Sequence, residues 1–168
     1  MGKQWRELLE HIAADKNLLK CYQCGTCVGG CPVARASLKY NPRRILEELI
    51  TGGGSKLLSD DLVWLCANCH SCLEKCPQRI GLSHIFVELK NAASMMGNIP
   101  TGILDEAKQL MRSGRTTPFT KAAKRRRAEL KLPSVPPSAG VEEIGEIVRA
   151  TQLNALINGA RKPKGGGK

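Results

Sequence analysis

Apolar residues recur at helical spacing through most of the chain, and the every-second-residue alternation that marks a strand is absent. Trp5, Leu8, Leu9 and Ile12 fall at i, i+3, i+4 and i+7 with charged residues between them, which predicts an amphipathic helix over 3–15. In NPRRILEELITGGG, Asn41 suits an N-cap and Pro42 the first helical position, while Ile45, Leu46, Leu49 and Ile50 make the buried stripe. Gly52, Gly53 and Gly54 end that helix and act as a linker. A second short helix is expected in DDLVWLC, capped by Asp60 or Ser59, with Trp64 as an apolar lid over whatever the neighbouring cysteines bind.

The second half repeats the pattern. In GLSHIFVELKNAASMMG, Ser83 is the expected cap and Leu82, Ile85, Phe86, Leu89, Ala93 and Met96 share one face. PTGILDEAKQLMRSG starts at Thr101, carries Ile103, Leu104, Ala107, Leu110 and Met111 as its stripe, and stops at Gly114. TTPFTKAAKRRRAEL opens at Thr117 and Pro118 and runs to about Leu130. LPSVPPSAG is a proline-rich extended connector. VEEIGEIVRATQLNALI predicts one more helix, with Ile144, Ile147 and Val148 apolar and glutamates in its first turn. RKPKGGGK reads as a disordered tail. The fold class is therefore mainly α. It divides into a helical domain over 1–99, a helical C-terminal extension with its proline-rich connector over 100–158, and a basic tail over 159–168.

Chemistry enters with the cysteines. All eight lie in two runs, CYQCGTCVGGCP from Cys21 and CANCHSCLEKCP from Cys66, each reading C-x2-C-x2-C-x3-C-P. This is the spacing by which bacterial-type ferredoxins hold [4Fe–4S] clusters, the fourth cysteine of each run ligating the other cluster. The expected sets are thus Cys21, Cys24, Cys27 and Cys76 for one cluster, and Cys66, Cys69, Cys72 and Cys31 for the second. Each proline biases the cysteine before it toward extended backbone, turning the fourth thiolate away from the other three. Structural zinc favours two separated cysteine pairs, or cysteines with histidines, and fits the repeated triple-plus-one pattern poorly. His11, His70 and His84 stand apart in sequence, and His70, although inside the second run, is not needed beside eight thiolates. A disulfide framework would make the two matching runs a coincidence. Lys20, Arg35, Lys75 and Arg79 flank the cysteines, either as cations that favour a reduced cluster or as ordinary solvated charges.

Length and composition narrow the function. In 168 residues with 42% hydrophobic content and two each of Trp, Tyr and Phe, cluster binding must supply part of the folding energy. No uninterrupted apolar stretch is long enough for a membrane span, and the charged N-terminus is not a signal peptide, so a reducing cytoplasmic setting is expected. Residues 1–111 hold 13 Lys/Arg against 11 Asp/Glu, and residues 112–168 hold 13 against 4. The basic excess thus lies away from the cysteines and suits an acidic protein partner. A zinc-stabilised nucleic-acid binder is the competing reading of KAAKRRRAEL, but its arginines spread around the helix and few aromatics are available for base stacking. A free diffusing ferredoxin would not need some 90 residues after its last cysteine. No dinucleotide or phosphate loop and no nucleophile elbow occurs, and no thiol is spare, so no catalytic residue is expected.

The runs CYQCGTCVGGCP and WLCANCHSCLEKCPQRI, with NPRRILEELITG between them and SGRTTPFT and LPSVPP after them, resemble the C subunit of heterodisulfide reductase over roughly residues 15–155. That resemblance implies an α-helical ferredoxin fold with two [4Fe–4S] clusters. It implies an electron-transfer role in an oxidoreductase of methanogenesis, between a flavin-bearing iron–sulfur subunit and a catalytic subunit that reduces the CoM-S-S-CoB heterodisulfide at noncubane clusters. A hydrogenase or formate dehydrogenase can join such a complex. Related complexes in sulfur oxidation and other anaerobic pathways share these motifs.

Overall fold

A computed structural model describes residues 7, 10–12, 18–135, 140–151 and 153–159 of the chain. Among them lie α-helices and 3-10 turns and no strand. They fall into two compact units, residues 1–98 and 99–168.

The first unit holds both cysteine runs. A 3-10 turn at Leu18–Lys20 leads into the first run, which contains α1 (Thr26–Gly29) and ends at α2 (Pro32–Ala36). Next come α3 (Pro42–Ile50) and α4 (Gly54–Ser59), then a second 3-10 turn at Asp61–Leu65. The second run contains α5 (Ser71–Glu74) and is followed by the long α6 (Leu82–Met95). Helix α3 forms as expected: the Asn41 side-chain oxygen accepts from the Arg43 and Arg44 amides at 3.1 Å each, and Ile45, Leu46 and Leu49 are buried. Asp60 caps the second turn by accepting from the Leu62 amide at 3.2 Å. Helix α4 departs from expectation. Gly54, read as linker, is buried and starts a helix that packs Leu57 and Leu58 against α6. A six-residue helix owes its existence to that packing rather than to propensity, which is why the apolar pattern did not reveal it.

Helix α6 is the axis of the unit. Ile85, Phe86, Leu89, Ala92 and Ala93 on one face are essentially inaccessible to solvent, and the Phe86 ring lies 6.1 Å from that of buried Tyr40. Its N-cap is Gly81, at φ 74°, and not Ser83, which is buried in the first turn. Asn98 closes the unit. Its amide donates to the carbonyls of Leu58 and Asp60 at 3.0 and 3.2 Å, and its own carbonyl accepts from the Trp64 indole at 3.0 Å. These bonds satisfy carbonyls left open where α4 ends.

In the second unit, α7 (Thr101–Ser113) packs against α9 (Val141–Ala150) and α10 (Leu153–Gly159). Leu104, Val148 and Ile157 are its buried residues, whereas Ile103 and Ile147, placed on the apolar stripes by spacing, are exposed. Gly114 ends α7 at φ 66° as expected. Helix α8 (Lys121–Glu129) begins later than the sequence suggested, because Thr120, and not Thr117, accepts from the Ala123 amide. The final helix is broken at Thr151 into α9 and α10. The expectations for Trp5, Leu8 and Leu9 and for the tail from 160 onward lie outside the described residues, as does most of PPSAG; Ile12 is helical and buried.

Candidate metal centre

The two cysteine runs fold alike. Residues at the third and fifth positions of each loop take left-handed backbone: Gln23 and Gly25 in the first, Asn68 and His70 in the second. The next four residues form α1 or α5, and the hydrogen bonds match. The Val28 amide donates to the Gly25 carbonyl and the Leu73 amide to that of His70, both at 2.9 Å. Each run is entered from a 3-10 turn, the Cys21 amide donating to the Leu18 carbonyl and the Cys66 amide to that of Val63. Helices α1 and α5 pack against each other, so the loops face one another around a common seam.

Two small hollows of similar size lie at this seam. Cys21, Cys24, Cys27 and Cys76 line the first, and Cys31, Cys66, Cys69 and Cys72 line the second. Cys72 also reaches the wall of the first, so it stands between the two. Leu46, Ile80 and Leu82 cover the first from the core side, and Val33, Pro42 and Phe86 the second. Cys31 has the extended backbone that Pro32 imposes, φ −87° and ψ 120°.

The donor set suits a cluster of irons. No disulfide joins the described cysteines, and no three of the described His, Cys, Asp or Glu side chains converge closely enough for a single ion. Zinc would draw four sulfurs to about 2.3 Å from one centre. Cysteine thiols set in an apolar wall are the donors by which a [4Fe–4S] cluster is held. His70 lines the second hollow, but its Nδ1 is engaged with the Ser83 hydroxyl at 3.1 Å.

The thiols are not equivalent. Cys24 and Cys69 are exposed, and hydrogen bonding with the Thr26 and Ser71 side chains two residues on lowers their pKa values. Burial raises Cys27, with the Cys21 charge adding, and pushes Cys72 up to about 11, with Cys66 adding. Metal must displace protons from the inner pair. Burial, together with the Cys66 sulfur beside it, likewise holds the Tyr40 phenol in its protonated form, well above its ordinary pKa.

Several surrounding residues were not foreseen from sequence. The Lys90 ammonium donates to the Cys66 carbonyl at 2.7 Å and to Asn68 Oδ1 at 3.2 Å, reaching back from α6. Arg43 lines the first hollow and Tyr40 the second. By contrast, the flanking cations Lys20, Arg35, Lys75 and Arg79 line neither hollow. Nor does Trp64: its indole is held by Asn98 and its ring lies 5.9 Å from the Lys90 ammonium.

A family model described as a 4Fe-4S dicluster domain matches residues 17–80. The second iron–sulfur C subunit of the CoB--CoM heterodisulfide reductase from Methanocaldococcus jannaschii is 32% identical, over 84% of this chain and 78% of its own length. The C subunit of the ferredoxin:CoB-CoM heterodisulfide reductase of Methanosarcina mazei is 30% identical, over 89% of this chain and 96% of its own. The chain belongs to the family of heterodisulfide reductase C subunits. A further relative, the C subunit of the H(2):CoB-CoM heterodisulfide,ferredoxin reductase of Methanothermobacter thermautotrophicus, is 28% identical over 94% of this chain and 86% of its own. Members of the family are iron–sulfur electron-transfer subunits, and the α-helical ferredoxin unit with its two cysteine-lined loops is the part of this chain that carries that character. Among the described residues no helix is long and apolar enough to cross a membrane.

Proposed function

We propose that this chain is the electron-relay subunit of a cytoplasmic heterodisulfide reductase complex, taking electrons from a flavin-bearing subunit and passing them to a catalytic subunit that reduces the CoM-S-S-CoB heterodisulfide. The observation that carries this reading is the pair of adjoining cysteine-walled hollows separated by Cys72, which together use every cysteine of the chain. Cys21, Cys24, Cys27 and Cys76 would hold one [4Fe–4S] cluster and Cys31, Cys66, Cys69 and Cys72 the other. Such cubes supply reversible one-electron chemistry when bound. The protein's own part is to fix the two sets side by side, to exclude water with Leu46, Ile80, Leu82 and Phe86, and to place Lys90 and Arg43 where positive charge offsets an added electron.

No thiol remains for substrate chemistry, which supports a relay rather than a reaction centre. Leu19 and Tyr22, exposed at 84% and 59% beside Cys21, offer an apolar approach for a partner near the first set. The basic C-terminal region, residues 100–168, would dock onto an acidic partner. Anaerobic affinity purification of the tagged chain from its own cells tests the reading. It predicts co-purification of a flavoprotein and of a second iron–sulfur subunit, with heterodisulfide reduction in the recovered complex. Recovery of the chain as a lone monomer would contradict it.

A further inference from the structure

The Tyr40 hydroxyl is buried, with no hydrogen-bond partner among the described residues. Its ring packs at 6.1 Å from Phe86 on the core side, and the side chain forms part of the wall of the hollow lined by Cys31, Cys66, Cys69 and Cys72. An unpaired buried hydroxyl costs free energy that a better-packed phenylalanine would avoid. Cys66, one of the four cysteines proposed to hold that cluster, lines the same hollow.

We infer that Tyr40 is a potential-setting residue: in the cluster-loaded protein its unpaired hydroxyl donates a hydrogen bond to the Cys66 sulfur and raises the reduction potential of the cluster held by Cys31, Cys66, Cys69 and Cys72. This rests on the ligand sets given under the proposed function. One-electron reduction adds a negative charge that spreads onto the sulfurs, so a donor stabilises the reduced form more than the oxidised one. The hydroxyl keeps its proton throughout. Away from water the effect is undiluted. Tyr22 provides the internal contrast, since it lies beside Cys24 of the other set but is exposed, where water can replace its hydroxyl.

The test is an anaerobic redox titration of the cluster-loaded full-length chain, followed by EPR, with Cys69→Ala identifying the signal of this cluster by removing it. Tyr40→Phe, which keeps the ring, should lower the equilibrium constant for reducing that cluster by about tenfold, or about 59 mV for one electron, and leave the other unmoved. Tyr22→Phe should change the other by less than about threefold. In the unsubstituted protein, electron–nuclear double resonance should show a slowly exchanging proton coupled to this cluster; that readout stands even where Tyr40→Phe fails to load. Two loaded clusters with both potentials unchanged in Tyr40→Phe, or no such proton, would overturn the inference while leaving the relay reading intact. A chain that binds no iron would overturn both.

Discussion

Residues 21–31 and 66–76 place left-handed backbone at the same offsets, open a four-residue helix at the same point and repeat the same amide-to-carbonyl bonds, yet their surroundings differ. Where the first has Gly25, free of any neighbour for an added Cβ, the second forces His70 to φ 58° and ties it to buried Ser83. The first run leaves Tyr22 and Leu19 in solvent, whereas Tyr40 and Phe86 enclose the second, whose Cys66 carbonyl accepts from the Lys90 ammonium. Cysteine spacing therefore sets the backbone, and the residues packed around it distinguish one site from the other. For the relay proposed above, such unequal surroundings would give the two sites unequal potentials and so a preferred direction of electron flow.

Substituting the fourth cysteines probes the comparison most severely. Cys31→Ala should abolish the same EPR signal as Cys69→Ala, and Cys76→Ala the same signal as Cys24→Ala, each with loss of roughly half the iron. Pairing within a run, so that Cys31→Ala matches Cys24→Ala, would break the crossed arrangement. A second prediction concerns the metal-free chain under mild alkylation at pH 8, followed by mass spectrometry. Cys24 and Cys69, exposed and with lowered pKa values, should react first in their respective runs. Cys72, at about 11, is ionised to only roughly one part in a thousand at that pH and should lag by more than tenfold, gaining as pH rises. Equal rates would show that the apo loops do not hold this structure.

Smaller effects separate local geometry from packing. Asn98→Ala removes two hydrogen bonds that close α4 and should cost about 2 kcal/mol by thermal or denaturant unfolding of the cluster-loaded protein. Gly25→Ala should cost about 1 kcal/mol through its left-handed φ of 79° alone, since no atom crowds the new Cβ. Gly30→Ala meets Lys75 Cδ at 2.8 Å, but that exposed side chain can swing aside, so the loss should stay below about 0.5 kcal/mol. A larger loss for Gly30 than for Gly25 would reverse the order of backbone strain and side-chain crowding.

Local signals were legible in the sequence and long-range ones were not. The cysteine spacing, the Asn41 and Asp60 caps, the stripe Ile45, Leu46 and Leu49, and the stop at Gly114 each depend on residues within a turn or two of one another. Helix α4, the burial of Ser83 and the roles of Tyr40, Lys90 and Arg43 depend on partners brought together only by folding. Lys20, Arg35, Lys75 and Arg79 show the converse, since sequence proximity to a cysteine does not bring a charge to the hollow. Trp64 likewise found Asn98, 34 residues away, rather than the cysteines beside it.

Quantitative iron, acid-labile sulfide and EPR analysis of the anaerobically purified full-length chain tests the central claim most directly. Two cubes predict about eight irons and eight sulfides per chain, and two reducible paramagnets that broaden each other's spectrum. A colourless protein carrying zinc, or one with four irons and a single isolated signal, would contradict the account.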